Sequence, residues 1–316
     1  MTPRLRIAPT PSGLLHIGNG VNFALTAAWA HALQGELLLR IDDLDSARVR
    51  GEYYNDIDNT MQWMGLDRMG QVFAKASYQA NRLARYQEVL VSLRQNNQVY
   101  ACTCSRNQIR AQQEEAGGDI NHYPGTCREA GISLDTPNVN WRLKLEESGV
   151  EVAWTEGLGK GKTEKTVLTA DFVIRQRNGR PSYQLASVVD DIDMGITHIV
   201  RGKDLWESTV MQLVLAKALP ESIFPSLEVS AHEVPREAQE SMPNGGAFAK
   251  TRFWHHDLVV DLEGRKLSKR DSDASLRYMR DRRWGPDIVY REAGLLLDVA
   301  QVNDIALLAE VLYAKR

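Results

Sequence analysis

Arg6-Ile-Ala-Pro-Thr-Pro-Ser-Gly-Leu-Leu-His-Ile-Gly-Asn19 is the stretch on which the fold turns. Leu5 to Ala8 is a short apolar run suited to a buried strand, and Pro9, Pro11 and Gly13 break it. From Gly20 the apolar residues fall at Val21, Ala24, Leu25, Ala28, Trp29 and Ala32, one face of a helix that ends before Gly35. Strand, Gly/Pro loop and helix in that order aim backbone N–H groups at an anion in a doubly wound α/β fold. His16 stands at the mouth of the helix, where its imidazole can donate to phosphate oxygens. Gly18 removes the Cβ that would hinder close approach.

A second segment, Lys266-Leu-Ser-Lys-Arg270, complements the first. Attack of a carboxylate on the α-phosphate of ATP needs cations and N–H donors where negative charge develops. Lys266 and Lys269 on a mobile loop can close over a triphosphate as point charges. Taken singly, His16 reads as a turn cap and the lysines as solvated surface. The two segments in this order, with strand, loop and helix around the first, reverse that reading.

With 316 residues the chain has room for roughly two domains and a substantial core. Its 25% charged and 43% hydrophobic residues are those of an ordinary globular protein. Apolar stretches fall short of the ~20 residues of a membrane span, and the polar N-terminus is no signal peptide. These features predict a cytoplasmic protein with no membrane association. A formal charge of −3 excludes global attraction to nucleic acid, so any RNA contact must use local patches such as Arg277, Arg280, Arg282 and Arg283.

All three cysteines lie between positions 102 and 127: Cys102 and Cys104 as Cys-x-Cys, and Cys127 after Tyr123-Pro-Gly-Thr. Three cysteines cannot all pair, and in a chain of cytoplasmic character metal outranks a disulfide. Tetrahedral zinc wants four ligands, and His122 or Tyr123 could supply the last. Spacing and ordinary zinc chemistry favour His122; the plain alternative is three small buried hydrophobes.

Further segments, R-I-D-D-L-D at Arg40 to Asp45, Y-Q-L-A-S-V-V-D-D at Tyr183 to Asp191 and H-I-V-R-G-K-D-L at His198 to Leu205, complete a pattern. Together with the two above they resemble the glutamyl-Q tRNA(Asp) synthetases, stand-alone relatives of the class I glutamyl-tRNA synthetase catalytic domain. The resemblance covers residues 4 to about 300. It implies a Rossmann-like doubly wound parallel sheet split by a zinc-binding insertion, with a short helical C-terminal tail. The corresponding divisions are 1–100, first half of the catalytic domain; 101–170, the acceptor-type insertion; 171–270, second half with the K-L-S-K-R loop; and 271–316, a stem-contacting tail.

The implied activity is ATP-dependent activation of L-glutamate without tRNA, then transfer to queuosine in the anticodon stem-loop of tRNA(Asp), by a monomer using Mg2+ with its ATP. Arg6 would pair with the glutamate side-chain carboxylate, with Arg201 beside it. Tyr183 would supply a hydroxyl and a ring wall, Ala8 and Thr10 would line the loop, and Asp42 would hold the α-ammonium. His16, Gly18, Asn19 and Lys269 would bind ATP, with His16, Lys266 and Lys269 acting in catalysis. The family pattern Cys-x-Cys followed by Tyr-x-x-x-Cys implies one structural zinc on Cys102, Cys104, Tyr123 and Cys127, selecting Tyr123 over His122.

Three positions depart from the pattern. Asp42 stands where glutamyl enzymes carry Glu and glutaminyl relatives Asp, and Asn19 replaces the second His of H-I-G-H. Residues 236–251 read as an extra Gly/Pro loop. Only 46 residues follow Arg270, which predicts no large anticodon-binding region. Two rival readings follow: a truncated glutamyl- or glutaminyl-tRNA synthetase charging a 3′ end, or a non-catalytic RNA- or nucleotide-binding module. Asn19 favours the latter; Arg6, Lys266, Ser268 and Lys269 oppose it.

Overall fold

The computed structural model describes residues 2–68, 76–119, 122–224, 246–259 and 275–315. The opening motif folds as its pattern predicts: β1 (Arg4–Ile7), a loop, and α1 (Ile17–Ala32). Strand β2 (Glu36–Ile41) runs parallel to β1, and β3 (Ser77–Tyr78) parallel to β2. Helix α2 (Gly51–Trp63) connects them, and α3 (Leu83–Gln95) leads into β4 (Val99–Cys102) and α4 (Arg106–Ala116).

β4 pairs antiparallel with β5 (Asn140–Leu143). The hairpin β6 (Val150–Glu156) and β7 (Lys162–Leu168) follows, and β8 (Val173–Arg175) adds antiparallel to β5. The chain continues through α5 (Tyr183–Asp193), β9 (His198–Gly202), α6 (Trp206–Ala218), α7 (Gly246–Ala249) and β10 (Arg252–His256). It ends in α8 (Leu276–Asp281), α9 (Asp287–Leu295) and α10 (Ile305–Ala314).

β10 lies between β9 and β6, parallel to both. The first parallel sheet adjoins this second one through Arg4 and Thr197: the Arg4 N–H donates to the Thr197 hydroxyl at 2.8 Å, and the Thr197 N–H to the Arg4 carbonyl at 3.0 Å. Side by side, the two sheets run β3-β2-β1 and β9-β10-β6, with β7 on the edge of the second. From β1 the chain steps outward to β2 and β3, and from β9 outward to β10 on the other side, so a crevice opens there at the carboxyl ends of the strands. β6 belongs to the stretch expected inside the 101–170 insertion, yet its backbone extends the parallel sheet.

One core packs α1 against β1, β2, α9 and α10, burying Val21, Leu25, Val289, Leu308 and Leu312. Gly20 permits this: a Cβ there would meet Leu276 and Val289 at 3.1 Å. The tail helices thus close the first core, and α10 starts at an Asp304 cap. A second core joins α3, α5 and α6 to β5, β6 and β10. Among the described residues no helix is long and apolar enough to cross a membrane.

Candidate active site

The crevice holds a cleft of about 360 Å³ lined by Arg6, Ala8, Thr10, His16, Gly18, Asn19, Asp42, Tyr183 and Arg201. These are all the residues expected to hold glutamate and ATP, except Lys269, which with Lys266 lies outside the described residues. So does the 236–245 part of the extra loop. Arg6 projects from β1, Arg201 from β9, and Asp42 follows β2, so three parallel strand ends supply the charges.

The amino end of α1 is built around His16. Its N–H donates to the Asn19 amide oxygen at 3.0 Å, the reciprocal arm of an N-terminal capping arrangement. Asn19, one of the departures from the family pattern, therefore serves the turn itself. A Cβ on Gly18 would meet the His16 imidazole at 3.0 Å, so glycine is what lets the ring lie over the helix entry. The α1 amino end is an anion-attracting terminus. Leu276 at the start of α8 is tied to this loop, its N–H donating to the Leu15 carbonyl at 2.8 Å.

Beneath the cleft runs a buried ionic network that spacing did not reveal. Arg40 donates from Nε and Nη2 to the two oxygens of Asp42, at 2.6 and 3.1 Å, and from Nη1 to Asp191 Oδ1 at 2.8 Å. Arg6 Nε donates to the same Asp191 oxygen at 2.9 Å. Asp190, the next residue, accepts from Gln79, Arg82 and Tyr86. Burial works against the charged form of Asp191, but Arg6 and Arg40 outweigh it and hold the carboxyl below its ordinary value. Burial pushes Asp42 up, opposed by Arg40. Arg40 and Asp191 both stand inside the motifs already quoted, but nothing in one sequence marks them as partners 151 positions apart.

Arg201 differs from these paired charges. It is 3% exposed. Its Nη1 donates to neutral acceptors, Thr209 Oγ1 at 3.1 Å and Gln212 Oε1 at 2.9 Å. Nε and Nη2 find no acceptor among the described residues. Burial accordingly pulls its pKa down to about 10. A dehydrated guanidinium with one fork unfilled is a receptor for a carboxylate.

The three cysteines converge away from the cleft. Their sulfurs lie within 4.8 Å of one another. The Tyr123 hydroxyl joins them, 3.5 Å from Cys102 Sγ and accepting the Cys127 N–H at 2.8 Å. The His122 imidazole is not part of this group, which overturns the spacing-based choice; its carbonyl instead anchors Gln113. Although burial opposes it, hydrogen bonds from Thr103, Tyr123 and Cys104 bring the Cys127 thiol down to about 6. Three sulfurs and one oxygen at such spacing suit a tetrahedral divalent metal.

Of the candidate RNA-contacting arginines, Arg277 and Arg280 are engaged by Asp56 on α2, at 3.4 and 2.5 Å. Arg282 lies over the Tyr278 ring, and it and Arg283 are exposed.

Residues 3–234 match the catalytic-domain model of the class I tRNA synthetases (E and Q). A glutamyl-Q tRNA(Asp) synthetase of Rhodobacter capsulatus is 31% identical over 306 residues, covering 92% of this chain and 99% of that relative. A glutamate–tRNA ligase of Synechococcus sp. (strain JA-3-3Ab) is 32% identical over 306 residues, 94% of this chain; the chain spans 57% of that relative's length. A crystal structure of a glutamate tRNA ligase from Elizabethkingia meningosepticum shares the fold, with a TM-score of 0.68 at 20% identity, covering 100% of this chain and 65% of that one.

Proposed function

The chain belongs to the class I tRNA synthetases of the E and Q type, and from that premise we propose that it activates L-glutamate with ATP and transfers it to queuosine in the anticodon of tRNA(Asp). The observation that carries the glutamate assignment is the buried Arg201 with its unfilled fork. A neutral amide in place of the side-chain carboxylate would leave that cation poorly matched. The acceptor assignment is supported by likeness, along nearly the whole of the Rhodobacter relative, to a protein bearing that name.

In this reading Arg6 and Arg201 take the side-chain carboxylate, the Tyr183 hydroxyl and the Thr10 loop fix the amino acid, and Asp42 faces its α-ammonium. The α-carboxylate attacks the α-phosphorus and pyrophosphate leaves. His16 and the α1 amino end stabilise the charge that builds on the phosphate oxygens, Lys266 and Lys269 would meet the triphosphate as point charges, and Mg2+ bound with ATP would supply further neutralisation. The acceptor then attacks the glutamyl carbonyl and AMP leaves. Zinc on Cys102, Cys104, Tyr123 and Cys127 would cross-link the segment between β4 and β5.

Two measurements test this. The isolated protein should catalyse glutamate-dependent ATP–pyrophosphate exchange without tRNA; absence of exchange at millimolar glutamate leaves the binding-module reading. With labelled glutamate, ATP and tRNA(Asp) with or without queuosine, label should enter only queuosine-containing tRNA, at the anticodon. Label at the 3′ end would assign the chain to ordinary tRNA charging.

A further inference from the structure

A chain of hydrogen bonds reaches Arg201 from behind, through residues that no motif singled out. Glu156, at the end of β6, uses both carboxylate oxygens on His255 of β10. Oε1 accepts the His255 backbone N–H at 2.7 Å, and Oε2 lies 2.7 Å from Nδ1. Trp154 Nε1 also donates to Oε2, at 3.0 Å. Burial opposes charge on Glu156, but these donors outweigh it, so the carboxyl lies below its ordinary value and acts as acceptor alone.

An acceptor-only carboxylate places a proton on His255 Nδ1. The Thr209 hydroxyl of α6 is 2.8 Å from Nε2 and 3.2 Å from the Leu205 carbonyl. Its one proton serves either the Leu205 carbonyl or His255 Nε2, and its oxygen accepts from Arg201 Nη1 at 3.1 Å. The ring of His255 is stacked on Phe253, and the Arg201 guanidinium sits over the same ring, centroid distance 5.4 Å. His255, Thr209 and Arg201 are buried, on three different elements.

We propose that Glu156, His255 and Thr209 are a positioning relay for Arg201: they fix one end of the guanidinium so that its Nε/Nη2 fork is presented to the substrate side-chain carboxylate. Carboxylate, imidazole and hydroxyl are each hydrogen-bonded to the next, so the orientation of Arg201 is set before substrate arrives. This rests on the proposed glutamate pocket, in that Arg201 is the group being aimed. A planar fork binds bidentately only when its plane is held, and a hydrogen bond to a charged group stabilises more than a neutral one. Gln212, the other acceptor of Nη1, holds the same end but has no link to His255 among the described residues.

The test compares Thr209→Val, which keeps the shape without the hydroxyl, with Thr209→Ser, which keeps the oxygen and its proton. In ATP–pyrophosphate exchange, Thr209→Val should raise the glutamate KM about tenfold or more while the ATP KM stays within about twofold, and Thr209→Ser should recover most of the loss. Equal rises in both KM values, or none, would overturn the relay. A second arm needs no substrate. In ¹⁵N-arginine-labelled protein, the Arg201 Nη signals, assigned by their loss in Arg201→Lys, should show hindered rotation in wild type and Thr209→Ser and free rotation in Thr209→Val. Unchanged rotation in Thr209→Val overturns the proposal. Loss of restraint in Thr209→Val, in a wild-type protein that shows no glutamate-dependent exchange, supports the relay and rejects the glutamate reading instead.

Discussion

Arg40 grips Asp42 by both carboxylate oxygens, at 2.6 and 3.1 Å, and through Nη1 ties the same guanidinium to Asp191 on α5. The carboxylate expected to face the substrate ammonium is thus held from below by a cation that also ties β2 to α5. Removing that cation leaves Asp42 and Asp191 buried with one partner fewer each. Arg40→Met should cost about 3–5 kcal/mol, the usual penalty for breaking a buried ion pair from one side. Arg40→Lys, which keeps the charge and loses the fork, should cost less. Urea unfolding of the two variants checks this, and an unchanged midpoint in Arg40→Met would refute it.

Because Arg40 fixes Asp42, and the group Asp42 would hold is common to glutamate and glutamine, position 42 should not choose between them. Asp42→Glu should shift the KM of both amino acids in parallel. Discrimination should fall instead on the unfilled fork of Arg201: wild type should favour glutamate at least about tenfold in kcat/KM, and Arg201→Gln should abolish most of that preference. Steady-state exchange with each amino acid measures both. Reversal of preference by Asp42→Glu would make residue 42 the determinant and sink the glutamate assignment.

Metal content separates the two tyrosine and histidine neighbours at the cysteine cluster. Purified protein should carry one zinc per chain, and Tyr123→Phe should weaken its retention against a chelator while His122→Ala leaves it unchanged. The basis is that the Tyr123 hydroxyl sits among the sulfurs and the His122 ring does not. Cys127→Ser should loosen the segment around β4 and β5 and spare the parallel sheet, since a metal stabilises the segment it closes. Elemental analysis and hydrogen exchange report the two effects; zinc lost from His122→Ala alone would restore the histidine.

Burial lowers the pKa of His198 to about 4 where its ring meets Trp29 edge-on and its Nδ1 bonds to Thr197. The unfolded chain titrates near 6.5, so between pH 6.5 and 4 the unfolded state binds more protons and stability falls as pH falls. The stabilisation is complete above about pH 6.5. Allowing for partial solvent access, the loss is on the order of 2 kcal/mol. Urea midpoints across that range should slope more steeply for wild type than for His198→Gln; parallel slopes would place the effect in the carboxylates.

What is local can be read from the residues alone. Leu5 to Ala8, the Pro/Gly break and the helical face from Val21 to Ala32 specify strand, loop and helix, because side-chain periodicity and proline geometry act within a few residues. The residue types of that loop also named the chemistry, and Arg6, His16, Asp42, Tyr183 and Arg201 do line one cleft. Partnership across long separations arises in the packed fold. His122 and Tyr123 are adjacent in sequence, and which of them meets the sulfurs depends on how the turn before Cys127 closes. β6 joined the parallel sheet because β10, about a hundred residues later, offered it an edge. α10 covered α1 because both present apolar faces, a fact about packing. Arg40 and Asp191, like His255 and Thr209, acquire their roles from where strand and helix place them, and hydrogen-bond geometry of that kind is written in no local pattern.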